Sequence, residues 1–233
     1  MSNARRVDNE ILDDLPADDP RAIHSRRDLR LCNLLMFQST IMARLLKRHC
    51  WKAPRTIVDI GTGDGTAALS IARRLARRWT NVSMTLVDRQ NIVSDATIAS
   101  FAGLGWKVDR VSADVFDFFA HSNQFDLVTA NLFVHHFSDE RLARLLAMIA
   151  RSTQAFVAGE PRRGPVAAFG CRLLPLFGCN EVTLHDSAAS VRAGFHGKEL
   201  SALWPEEAGW RLAEHEAVPF SHCFAAIRTG ASG

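Results

Sequence analysis

Thr56-Ile57-Val58-Asp59-Ile60-Gly61-Thr62-Gly63-Asp64-Gly65-Thr66 is the stretch on which the fold turns. β-Branched and apolar residues enter it, and residues 67–79, rich in alanine, leave it with helical spacing. Strand, glycine loop and helix in that order present backbone N–H groups and the positive end of a helix to a polar ligand at the edge of an open parallel sheet. Glycines at 61, 63 and 65 let the backbone turn sharply and come closer to a ligand than any Cβ would allow. Their spacing departs from the G-x-G-x-x-G of dinucleotide loops. Acids at 59 and 64 would also repel a diphosphate.

Downstream, the alternation of strand and helix patterns continues. Residues 82–87 alternate and end in Asp88, which puts a carboxylate on the ligand edge of the sheet at the distance expected of a ribose-binding acid. A helix over 91–104 and a short strand over 106–111 lead to Ser112-Ala113-Asp114-Val115-Phe116. A buried fourth strand, 125–130, runs into Asn131-Leu132-Phe133-Val134-His135-His136-Phe137. Ser138 and Asp139 start a helix whose core face is Leu142, Leu145, Leu146 and Ile149. The fifth strand, Ala155–Pro161, contains Glu160, which can pair with Arg162 or Arg163. Segment 164–197 then breaks the alternation with an apolar run, 166–177. A short helix over 198–204 and two strands, 211–218 and 220–228, close the chain as a hairpin.

The D-x-G-x-G-x-G arrangement of Asp59, Gly61, Gly63 and Gly65, with Asp88 ending the next strand, resembles motif I of the class I S-adenosylmethionine-dependent methyltransferases. Segment 131–137 resembles motif IV of that family, without the Asn-Pro-Pro-aromatic signature by which many members hold an exocyclic amine. The resemblance implies an α/β, Rossmann-like fold: a seven-stranded, mostly parallel sheet with a terminal antiparallel hairpin, a helical cap over 20–52, Glu160 at the pocket mouth, and a substrate lid over 164–197, for which a dimer interface is the competing explanation. It implies S-adenosyl-L-methionine as cofactor, with Asp59, Gly61, Thr62 and Gly63 around the methionine moiety and Gly65 packing the loop on its helix. Asp88, with Arg89 beside it, would take the ribose. Asp114, with Val115 or Phe116, would take the adenine, with Asp117 as a rival and a helix cap as the other reading of Asp114. Asn131 and Leu132 would border the transferred methyl. The small-molecule members, of ubiquinone/menaquinone type or from polyketide and phenolic pathways, are the ones this chain resembles.

Composition bounds the rest. With 233 residues, 47% hydrophobic and 23% charged, the chain suits one globular domain over 53–233, led by the cap and by a polar, proline-punctuated segment over 1–19 expected to be flexible. Net charge is +3, and no basic stripe interleaved with aromatics suggests nucleic acid. No apolar run is long enough to span a membrane, and the first residues lack the apolar core of a signal peptide, so a cytoplasmic monomer or homodimer is expected. The five cysteines and nine histidines show no metal-ligand spacing. There is no tyrosine, so a base for a phenol-like acceptor must be sought among His135, His136, His185 and His222. The competing readings are a protein or RNA methyltransferase of the same fold, an NAD(P)-dependent reductase, and a binding module without catalysis.

Overall fold

The computed structural model describes residues 4–50, 52–121 and 124–230. Seven strands, β1 (Thr56–Ile60), β2 (Ser83–Asp88), β3 (Lys107–Ser112), β4 (Leu127–Asn131), β5 (Ala155–Pro161), β6 (Trp210–Ala217) and β7 (Ser221–Arg228), form one sheet. Their spatial order is 3-2-1-4-5-7-6. β1 to β5 run parallel, and β7 lies antiparallel between β5 and β6. The terminal hairpin expected from the sequence is therefore present. Strand order reverses between β1 and β4, the switch point at which an open α/β sheet opens a crevice beyond its strand ends.

The helices are α1 (Ile11–Asp14), α2 (Pro20–Leu35), α3 (Gln38–His49), α4 (Thr66–Leu75), α5 (Asp95–Ala102), α6 (Val115–Ala120), α7 (Asp139–Ser152), α8 (Pro165–Leu173), α9 (Glu181–Ala193) and α10 (Glu199–Leu203). Alternation along the strands divides the core. Ile57 and Leu127 face a cluster formed with Met42 and Leu46 of α3, Leu69 and Leu75 of α4 and Phe101 of α5. Val58, Ile60 and Val128 face the opposite cluster, with Phe119 of α6, Leu142, Leu145 and Leu146 of α7, and Trp204. Both faces being covered explains why β1 and β4 read as continuous apolar runs.

Two sequence expectations change here. The helical region after residue 20 breaks at Met36-Phe37, where Phe37 adopts φ 54°. The break lets α3 pack on the sheet, while α2 turns one side to the ligand crevice and leaves Leu34 exposed. Residues 4–19, expected to be a loose lead-in, instead lie across the mouth of that crevice. The backbone N–H groups of Ile11 and Leu12 donate to the two oxygens of Asp186 on α9, at 2.8 and 2.9 Å. These are polar, long-range contacts, and they impose no hydrophobic period on the segment that makes them. Among the described residues no helix is long and apolar enough to cross a membrane.

Candidate active site

A crevice of about 930 Å³ opens at the switch point, running from the glycine loop to the undersides of α2, α8 and α9. At the loop end, Gly61 N–H donates to Val87 O at 2.9 Å, and Gly63 N–H donates to Asp88 Oδ2 at 2.8 Å. Asp88 Oδ1 accepts from Gln90 N–H at 2.9 Å, so one carboxylate holds the loops after β1 and β2 together. Gly61, Gly63 and Gly65 all have positive φ, which favours glycine. A Cβ on Gly65 would meet Thr97, Leu86 and Val93 at 3.2–3.4 Å, so that glycine serves loop packing, as the sequence suggested. A Cβ on Gly63 would meet nothing within 4 Å, so this stretch of backbone borders open space in the crevice.

Asp59, Thr62, Asp88, Arg89, Asp114, Val115, Asn131 and Leu132 all line the crevice, so the sequence-predicted cofactor set is gathered in one place apart from Gly65, which sits behind it. Asp59 is buried and accepts from the Thr129 hydroxyl at 2.6 Å. Burial, reinforced by the neighbouring Asp88 charge, raises its carboxyl to about 6 against the pull of the Thr129 hydrogen bond. Asp114 caps α6, its Oδ1 accepting from Phe116 N–H at 2.8 Å. Arg89 is largely exposed and stands 3.8 Å from Asp13. Leu132 takes φ 54°, uncommon for a branched side chain, and its N–H donates to Gly159 O. The side-chain oxygen of Asn131 is buried without a hydrogen bond. The far end of the crevice is apolar, with Leu29, Leu35, Phe137, Leu173, Phe177 and Phe220 among its walls.

The histidines divide. A short 3-10 turn, Val134–His136, places the rings of His135 and His136 4.4 Å apart on the crevice wall. Glu160 is fully buried beneath this turn, which corrects its expected position at the mouth. It accepts from the N–H groups of Phe133 and Val134 at 3.1 Å, from that of His135 at 3.3 Å, and from His135 Nδ1 at 2.7 Å. The arginines expected as its partners pair elsewhere, Arg162 with Glu216 and Arg163 with Glu199. His222 is a correction too: it is buried on β7 against Glu214 at 2.7 Å and does not line the crevice. His185, on α9, pairs with Asp186 at 2.9 Å, half exposed and also away from the crevice. Both were credible from sequence because a histidine alone does not reveal which way its strand or helix faces.

Glu10, which no spacing singled out, completes the wall. Its carboxylate lies 3.5 Å from His135 Nε2 and 3.9 Å from His136 Nε2, and it accepts from the Ser190 hydroxyl at 2.5 Å. Burial pushes its carboxyl up, yet the two imidazoles and the hydroxyl outweigh this and hold it down to about 2. For His135, burial works against charge, but Glu10 and Glu160 on either side raise the ring to about 9. A positive charge is thus built into this spot between two carboxylates.

Arg5 anchors residues 4–19, the strap across the crevice mouth. Its side chain is 6% exposed; Nη2 donates to the carbonyls of His135 (2.9 Å) and Phe137 (2.6 Å), Nε donates to that of Ala193 (2.8 Å), and Nη1 pairs with Asp139. The guanidinium also stacks over Phe195 at 4.6 Å. Hydrogen bonds from charged groups contribute about 1.5–3 kcal/mol each and are not additive. Arg5→Ala is therefore expected to raise hydrogen exchange across residues 4–15 by at least about 30-fold while leaving β1 to β5 protected. Unchanged exchange in the strap would show that Arg5 does not anchor it.

Comparison with known proteins agrees with this geometry. Residues 57–155 match the family described as a methyltransferase domain. A ribosomal protein L11 methyltransferase of Rhodopseudomonas palustris (strain BisB5) is 30% identical over 126 residues, 48% of this chain and 42% of that protein, so the match spans less than half of the relative. A plantazolicin methyltransferase in complex with a monoazolic desmethylPZN analog and SAH superposes with a TM-score of 0.64 at 15% identity, covering 91% of each chain. The mitomycin 7-O-methyltransferase superposes with a TM-score of 0.60 at 16% identity, over 94% of this chain and 60% of that one. Residues 57–155 thus resemble a methyltransferase domain, and the seven-stranded fold around them is shared with these methyltransferase structures.

Proposed function

We propose that this protein is an S-adenosylmethionine-dependent methyltransferase acting on an oxygen or activated carbon of a small, apolar acceptor of phenolic or polyketide-like character. The observation that carries this reading is the continuity of one crevice from the glycine loop to an apolar chamber. The loop end fits the cofactor by two features: open space in front of Gly63, and a buried Asn131 oxygen with no partner. When bound, the cofactor supplies a sulfonium methyl that moves to the acceptor as the S–CH3 bond breaks, leaving the neutral thioether. Asp88 would keep its Gly63 and Gln90 N–H donors and receive ribose hydroxyls on its remaining lone pairs. Asp59 would face the methionine ammonium. The apolar walls, with the strap across the mouth, exclude water and orient the acceptor, which is where most of the acceleration of an in-line displacement arises. His135 and His136 both line the crevice; His135 is held charged between Glu10 and Glu160, so His136 would take the acceptor proton.

The test is calorimetric titration with S-adenosylhomocysteine, with NADH as control. Micromolar binding of the thioether and none of NADH is expected, with Asp88→Ala weakening the former at least tenfold through loss of charged hydrogen bonds. NADH binding in place of the thioether would move the protein to the reductases. The L11 methyltransferase match supports a protein acceptor as second reading, and transfer of labelled methyl to ribosomal protein, absent with phenolic substrates, would establish it.

A further inference from the structure

We propose that Glu10, His135 and His136 form a binding site for a divalent first-row transition metal on the acceptor wall of the crevice. One ligand atom from each lies within 4.8 Å of the other two, a carboxylate oxygen and two ring nitrogens. Donors about 2.0 Å from a tetrahedral ion stand about 3.3 Å apart, so the set needs to contract by up to about 1.5 Å. His136 is the member that can move, being 24% exposed and loosely placed between Glu10 and Asp13 at 3.9 and 3.5 Å. His135 is already aimed: its side chain is 3% exposed, and Nε2 points into the cluster without a hydrogen bond. Its Nδ1 is held at 2.7 Å by Glu160, whose other contacts are the backbone N–H groups of the same turn. A carboxylate behind one imidazole nitrogen, with the opposite nitrogen left for a metal, is the arrangement that fixes ring orientation in histidine-ligated metal sites.

Adjacent residues in a chain ordinarily point apart, and the 3-10 turn is what brings both rings to one side. Two imidazoles and a carboxylate favour zinc, iron, cobalt or nickel over the oxygen-seeking magnesium and calcium. The cation would stand between His135 Nε2 and the Glu10 carboxylate, now 3.5 Å apart, and it would leave coordination positions open toward the chamber. Resting on the methyltransferase reading, this gives the site a role: a hydroxyl of the acceptor binds the cation, which lowers its pKa and fixes its oxygen for attack on the methyl. The hydroxyl proton is lost to solvent at the crevice mouth, His136 then being a ligand and not a base. The ligand set also bridges the strap, through Glu10, to the loop after β4, so metal binding and closure of the crevice would be one event.

Chelator-treated protein titrated with cobalt(II) alone, followed by visible absorption, tests this without any acceptor. One cobalt per chain with ligand-field bands of nitrogen and oxygen coordination is expected. Glu10→Gln and His136→Ala should each weaken it at least tenfold, and His196→Ala, a surface residue paired with Glu216, should leave it unchanged. Circular dichroism and thioether binding on the same samples report folding and the cofactor pocket separately. Cobalt binding without thioether binding would sustain the metal site while removing the methyltransferase reading. Equal cobalt affinity in all variants, or none in folded wild type, would overturn the site and leave the trio as a latch for the strap.

Discussion

Gly61→Ala is expected to weaken S-adenosylhomocysteine binding more than 100-fold and to lower the melting temperature by roughly 5–15 °C. Two costs combine. The residue has φ 65°, where an L side chain costs about 1–2 kcal/mol. The added Cβ would also fall 2.0 Å from the Phe133 ring and 2.7 Å from Phe133 Cβ, so the whole residue must retreat. Overpacking of this kind costs about 1–3 kcal/mol, and in a chain of this size each kcal/mol moves the melting temperature by about 2–4 °C. Phe133 cannot retreat alone, because its N–H donates to Glu160, which holds the turn bearing His135 and His136. Gly63→Ala separates the two effects. Its φ is 57°, but its Cβ would meet nothing within 4 Å, so only the backbone cost of about 1–2 kcal/mol applies to the fold. If the cofactor occupies the space in front of Gly63, that variant melts about 2–8 °C below wild type and still loses at least tenfold in affinity. Unimpaired binding by Gly63→Ala would mean that the ligand lies elsewhere.

The parts of this molecule legible in its sequence are those dictated by period and by punctuation. The run Ile57-Val58 and the glycines after it identify the first strand and its loop because burial on both faces and positive φ leave few other residue types acceptable. Asp88 follows from the topology: a carboxylate ending the second parallel strand must lie on the ligand edge. The strap was illegible for the opposite reason. Arg5, Asp8 and Glu10 find their partners on α9 and the loop after β4, more than a hundred residues away, through side-chain charge and not through a repeating apolar face. Glu160 illustrates the same limit. An acid near the end of a buried strand reads as a pocket residue, but the neighbouring turn supplies three N–H donors and an imidazole, and those decide where its carboxylate goes. The direction of a polar side chain depends on whichever partner folding brings near, and local spacing carries no record of it.

The pH dependence of cofactor binding is where one such buried acid should declare itself. Asp59 is 4% exposed with its carboxyl raised to about 6, chiefly by burial. In the free protein below that pH the group is neutral, whereas the ammonium of a methionine moiety is best received by the ionised form. Binding must then expel a proton, so affinity for S-adenosylhomocysteine should fall about tenfold per unit as pH drops below about 6 and should level off above it. Between pH 7 and pH 5 the expected loss is about tenfold from this group, read by calorimetry together with proton release in buffers of different ionisation enthalpy. The sign is opposite for the fold without ligand. A raised carboxyl favours the folded chain in its protonated form, so this contribution is fully present below the unfolded value of about 3.8 and is lost as pH rises through about 6. Asp59→Asn should flatten both profiles, retaining the hydrogen bond to Thr129 while lowering thioether affinity at neutral pH to near the level wild type shows in acid. If wild-type affinity is constant from pH 5 to pH 7, Asp59 does not face the ammonium, and the burial that raises its carboxyl serves the core beside Thr129 and not the ligand.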